Sequence, residues 1–141
     1  MSVNLSESGI VIGAGRTERV IAIDVVREFL AAMGRRDLDS ARACLAPDFL
    51  MTVSGNHRFD DPSGFAAFSA QRNGPVRKQL DSLEVCEAPA GIAVYATGTM
   101  SGSWLDGSGF KNVRFCDRFL LRDGRIADLQ VWSDMADFRP R

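Results

Sequence analysis

The chain reads as an α+β domain in which helices come first and an antiparallel meander follows, its curved inner face receiving them. Three observations predict this. Over Glu18–Gly34, Val26, Phe29, Leu30 and Met33 recur at helical spacing and make one apolar stripe. From Val76 onward, four runs of alternating character are separated by Pro89-Ala90-Gly91, Asp106-Gly107-Ser108-Gly109 and Asp123-Gly124. The length of 141 residues, 45% hydrophobic and 25% charged, fits one domain with a real core. Residues 1–16 are read as a flexible or loosely attached extension and 17–141 as the single domain.

Each element has a local cause. After the first helix, Asp37 is placed to cap a short second helix through Leu45, with Leu38, Ala41 and Leu45 inward and Pro47 ending it. Phe49–Ser54 alternates as a strand with Phe49, Met51 and Val53 on one face, and Gly55-Asn56 turns the chain. Asp61-Pro62 is a cap followed by a first-turn proline, opening a third helix that carries Phe65 and Phe68 and closes before Gly74-Pro75. The long strands are expected at about Val76–Glu87, Ile92–Trp104, Asn112–Leu121 and Ile126–Ser133.

Alternation in the third of these strands gives the most informative residue. Val113, Phe115, Asp117, Phe119 and Leu121 share one face; Arg114, Cys116, Arg118 and Leu120 share the other. A lone acid thus falls among apolar side chains, where an ionised carboxylate is costly unless paired or hydrogen-bonded. A three-residue turn, Arg122-Asp123-Gly124, satisfies both faces. It sets Asp117 against Leu129, Arg118 against Asp128 and Arg114 against Trp132. If Leu105 and Phe110 close the preceding hairpin, Gly98 lies opposite Asp117.

Composition excludes several classes. Net charge is −1 with Lys and Arg dispersed, so there is no basic footprint for nucleic acid or an anionic membrane. No apolar run approaches a membrane span, and Met1–Ser8 lacks the basic region of a signal peptide, so the chain is read as cytoplasmic. Three well-separated cysteines, Cys44, Cys86 and Cys116, read as reduced structural thiols. With His57 the only histidine, no dedicated metal site is expected. Gly13-Ala14-Gly15-Arg16 resembles a dinucleotide-binding turn but lacks the parallel βαβ setting that such a turn needs.

The strings DVVREFLAAMGRRDLDSARACLAPDF and RFCDRFLLRDGRIADLQVWSDM, in this order, resemble the SnoaL-like branch of the nuclear transport factor 2-like superfamily, over residues 20–138. The resemblance implies a cystatin-like α+β cone, usually dimeric, with an inner pocket between the sheet and the first helix. It also implies relatives such as ketosteroid isomerase, scytalone dehydratase and polyketide cyclases, the last relying on an acidic residue without metal or cofactor. In ketosteroid isomerase a first-helix tyrosine and a third-strand aspartate hold an oxyanion while an earlier aspartate moves the proton. Those positions fall here on Phe29, Asp117 and Val53, so Asp117 alone matches. Scytalone dehydratase uses two histidines, and this chain has one.

The expected function is cofactor-independent proton transfer, of isomerase or cyclase type, on a small apolar cyclic or polyketide-like molecule. The alternatives are a non-catalytic carrier and a dimeric interaction module with a filled core. Asp117 is either the proton-handling group or a structural acid bonded to backbone N–H or to an arginine such as Arg72. His57 is either a second acid/base at the cone mouth or a solvated loop residue. Phe29, Met51, Met100, Trp104, Phe115 and Phe119 line a cavity or fill a core. Tyr95, Arg114 and Trp132 on the outer face are expected to form a homodimer contact. Asp134 is expected to cap a short closing helix.

Overall fold

A single apolar stripe decides how the long first helix lies. Ala22, Val26, Phe29 and Ala32 are buried along α1 (Ser8–Gly34) while Asp24, Arg27 and Glu28 face solvent. The computed structural model describes residues 8–140, with side chains from residue 15 onward. The helix begins at Ser8 and not at Glu18, so residues 8–16 of the expected extension form its first turns, Gly13 to Arg16 among them. Residues 1–7 lie outside the described residues.

Asp37 caps α2 (Leu38–Ala43) through Ser40 N–H, and Asp61 caps α3 (Pro62–Ala70) through Ser63 N–H, both as the capping chemistry predicts. Between them lie β1 (Leu45–Val53) and the three-residue β2 (His57–Phe59), which the sequence pattern did not reveal. β1 starts earlier than Phe49 because Leu45 pairs with Ile126. The irregularity between Leu45 and Leu50 takes in Pro47, which has no N–H to give a ladder. Then follow β3 (Asn73–Ala88), β4 (Gly91–Trp104), β5 (Gly109–Arg122), β6 (Arg125–Ser133) and a 3₁₀ turn, Met135–Phe138.

The six strands form one curved, unclosed sheet in the order β2-β1-β6-β5-β4-β3. It is mixed: β3 to β6 are the expected antiparallel meander, but β1 runs parallel to β6. The β2 hairpin and α3 occupy the chain between β1 and the meander, and β1 joins at the far side of the last strand. Buried residues of α1 pack into the inner face, where Phe29 meets Phe119 edge-on at 5.8 Å and 74°. Such a pair adds about 1 kcal/mol beyond its area.

The β5–β6 hairpin reaches the expected face by another route. Asp123 and Gly124 form a two-residue turn with both φ positive (53° and 74°), not the three-residue one. Leu121 pairs with Ile126 but Leu120 with Asp128, so Ala127 is an extra residue in β6, and both Ile126 and Ala127 are buried. That bulge sets Asp117 opposite Val131, not Leu129, and keeps it inside. It also removes the expected pairs of Arg118 with Asp128 and Arg114 with Trp132. Arg118 instead meets Gln130 and hydrogen-bonds the Tyr95 hydroxyl, and Arg114 pairs with Asp134 at 2.7 Å. Asp134 therefore makes an ion pair and no side-chain cap.

Candidate functional site

Strand alternation and the β6 bulge put Asp117 in the middle of the inner face. Its side chain is 1% exposed, with Ala96 and Val131 across the neighbouring strands and Phe115 and Phe119 two residues away on its own. The expected opposition of Gly98 and Asp117 does not form, because Gly98 pairs with Phe115. Gly98 is glycine for a different reason. A Cβ there would collide with the Gln79 carbonyl and press on the Phe115 ring.

The hidden partner of Asp117 is Lys78. Its Nζ donates to Asp117 Oδ2 at 2.6 Å and lies over the Phe115 ring, 4.5 Å from the centroid. Lys78 stands opposite Met100, and Asp117 opposite Ala96, so the pair spans β4 diagonally with Gly98 between. Arg72, named from sequence as a candidate partner, lies instead over the Phe68 ring at 3.9 Å. The lysine escaped the sequence reading because β3 is also bulged. Ser82 pairs with Thr97 and Leu80 with Gly98, leaving Asp81 extra. Without that residue Lys78 would fall on the outer face. The signal was present as a change of parity, since Leu83 and Val85 face inward on odd numbers while Val76 and Leu80 are even.

The two ends of the ion pair differ sharply. The Lys78 side chain is 31% exposed, so it links a buried carboxylate to solvent. Asp117 Oδ2 is taken by the ammonium, while Oδ1 is buried with no hydrogen-bond partner among the described residues. Desolvating two charges costs several kcal/mol per ion, which only good geometry and further hydrogen bonds offset. A carboxylate with one oxygen fixed and the other unused is an oriented acceptor, able to receive a proton or a hydrogen bond.

The other predicted residues divide. Phe29, Met51, Met100, Trp104, Phe115 and Phe119 all join one buried apolar cluster. Two hollows among the described residues are lined by neither Asp117 nor these six. One of about 620 Å³ lies at Gly109–Asn112 and Phe138, and one of about 420 Å³ lies by Ser54, Gln130 and Trp132. His57 is exposed on the marginal strand β2, its ring 4.7 Å from Phe68, and no contact joins it to Asp117. Burial, then the Glu28 charge, pushes the Cys44 thiol up; burial, then Asp117, does the same to Cys116. Neither is thereby suited to act as a thiolate nucleophile. No group of three His, Cys, Asp or Glu is arranged for a metal among the described residues, and no helix there is long and apolar enough to cross a membrane.

Residues 26–129 match the family described as SnoaL-like domain. No curated protein matches the chain. Among solved structures, an NTF2-like protein of unknown function from Burkholderia pseudomallei superposes with a TM-score of 0.69 at 23% identity, over 83% of this chain and 93% of that one. TerC, co-crystallised with polyporic acid, gives 0.68 at 19% identity over 84% and 95%. A candidate polyketide cyclase from Xanthomonas campestris pv. campestris gives 0.67 at 22% over 86% and 96%. At these identities the likeness establishes the α+β cone.

Proposed function

Since the chain belongs to the family of SnoaL-like domains, we propose that it acts on a small apolar, cyclic or polyketide-like molecule by cofactor-independent proton transfer, with Asp117 as the acid/base. One observation carries this reading: a carboxylate 1% exposed among aromatic rings, tied to Lys78 through Oδ2 and leaving Oδ1 unpartnered among the described residues. A buried charge of this kind is a poor way to gain stability, because apolar residues of similar volume fill such a site at least as well. Its geometry suits a base held still and shielded from competing water. The ligand class follows two structural neighbours, one a candidate polyketide cyclase and one crystallised with polyporic acid.

The test is α-proton exchange of enolisable cyclic ketones in D₂O, followed by NMR, for wild type and Asp117→Asn. A positioned general base contributes roughly 10²–10⁴-fold, so a loss of that size is expected in the variant. Equal exchange in both proteins removes the carboxylate from the chemistry.

A second reading is favoured by the packing. The six residues expected to line a pocket lie in the buried cluster, and Trp132 is 50% exposed on the outer face. On this reading the interior is filled and the sheet serves as a homodimer surface. Titrating the same ketones into 15N-labelled protein separates the two: inner-face amides of β4 and β5 move on the first reading and stay fixed on the second.

A further inference from the structure

We propose that Lys78 is a catalytic residue of this site, its ammonium holding the oxygen of a carbonyl substrate while that substrate enolises. The inference rests on the reading of Asp117 as the proton carrier and adds the second half of the reaction. Removing a proton from carbon neutralises the carboxylate and moves its negative charge on to the substrate oxygen, where an apolar setting alone does not stabilise it. The site needs a cation beside the base. Among the side chains placed at Asp117, Lys78 is the one that supplies it.

The geometry fits the role. An ammonium has three N–H donors. One is committed to Asp117 Oδ2 at 2.6 Å, and the group rests against the Phe115 face at 4.5 Å. Its remaining donor capacity is open among the described residues, and its 31% exposure makes it the part of the pair that an incoming molecule meets first. Asp117 Oδ1 stands beside it as an acceptor unused among the described residues. A ligand that uses both must offer an acceptor to Nζ and, one or two bonds away, a proton to Oδ1. A ketone with an α C–H has that arrangement. A plain hydrocarbon lacks it.

The step balances without a co-reactant. The α C–H bond breaks and its proton passes to Oδ1. The released pair forms the carbon–carbon double bond while the carbonyl π pair moves on to oxygen, where Lys78 Nζ holds the enolate. Return of the proton from Oδ1 to the same carbon completes an exchange, and where the substrate carries a further double bond conjugated with the enolate, return to the far carbon of that dienolate completes an isomerisation; either restores the carboxylate.

The experiment follows exchange at C2 of 1-tetralone in D₂O for wild type, Lys78→Gln, Lys78→Arg and Asp117→Asn, with a urea midpoint for each. Loss of one oxyanion donor typically lowers kcat about 100-fold, which is the expected result for Lys78→Gln, with recovery of at least about tenfold in Lys78→Arg. Wild type should also bind 1-naphthol, an analogue of the enol, at least about tenfold more tightly than 1-tetralone. That comparison needs no variant and stands if Lys78→Gln fails to fold. Wild-type exchange in Lys78→Gln beside a dead Asp117→Asn overturns the role of Lys78 and leaves the base assignment intact. An equal loss in Lys78→Arg and Lys78→Gln, or equal affinity for the two probes, also overturns it. No acceleration of exchange by wild type overturns both proposals together.

Discussion

Taking the ammonium out of the Lys78–Asp117 pair leaves a carboxylate that is 1% exposed and has no counter-charge, whereas taking both charges out leaves room for apolar contact. These are different perturbations and should have different signs. Breaking a buried pair on one side costs about 3–5 kcal/mol, while replacing both partners by hydrophobic residues is often neutral or favourable. The Lys78 side chain reaches solvent, which places the expected loss for Lys78→Met at the lower end, about 3 kcal/mol. The double variant Lys78→Met/Asp117→Leu should regain most of it. Urea unfolding of the four members of the cycle measures the coupling directly. A double variant as unstable as the single one would mean that the pair is a structural requirement of the fold, and the case for a retained functional charge would weaken.

Among the elements, the short helices are tied together by charge at their caps. Arg42 of α2 grips the α3 cap residue Asp61 with two hydrogen bonds, at 2.7 and 2.9 Å, while Ser63 donates to the same carboxylate from its hydroxyl and its N–H. The Arg42 bond first, then those from Ser63, hold the Asp61 carboxyl well below the usual carboxylate range. A group whose pKa is depressed by folding binds its proton more readily when unfolded. Its contribution is therefore complete above the unfolded carboxylate pKa, roughly 4, and is lost as pH falls toward the folded value. Wild type should lose urea stability between roughly pH 5 and pH 2 more steeply than Asp61→Asn, and parallel slopes would show that this cap does not contribute to acid lability. Solvent reaches about a third of the side chain (34%), so the difference is expected to be modest. Both caps were legible in the sequence because Asp37 and Asp61-Pro62 act through neighbours in the chain. The bulges at Asp81 and Ala127 were not. Each is a single residue: Ala127 leaves no mark in the pattern of its strand, while Asp81 leaves only the change of parity between Leu80 and Leu83, whose meaning appears in register with another strand. The Asp117 face survived this, because the bulge at Ala127 restores the parity that a two-residue turn would have inverted. Lys78 did not, because the bulge at Asp81 inverts its face.

For the molecule as a whole, the sheet has an inner side that carries the buried apolar cluster and an outer side that carries aromatic and paired charged groups. Tyr95 and Arg118 are joined there by a hydrogen bond of 3.2 Å, Arg114 is tied to Asp134, and Trp132 stands 50% exposed near them. A half-exposed tryptophan on an open sheet face surrounded by polar groups has the composition of an interface centre with a hydrated rim. Two such faces meeting about a two-fold axis would place the same patch on both partners. The prediction is a homodimer in solution, with light scattering behind size exclusion as the measurement. Trp132→Asp should raise the dissociation constant by at least about 30-fold, the equivalent of an interface hot spot near 2 kcal/mol. Arg114→Ala should matter less, since its side chain is 81% exposed and already bound to Asp134. Monomeric wild type at every accessible concentration would leave the tryptophan for another partner. A dimer indifferent to Trp132→Asp would move the contact off this face. Because Trp132 alternates with Val131, which packs against the core on the inner side, tightening the dimer should also steady the part of β6 that stands opposite Asp117. Dimerisation and the chemistry of the Lys78–Asp117 pair would then be linked through one strand, and exchange rates measured per protomer should fall when dilution separates the subunits.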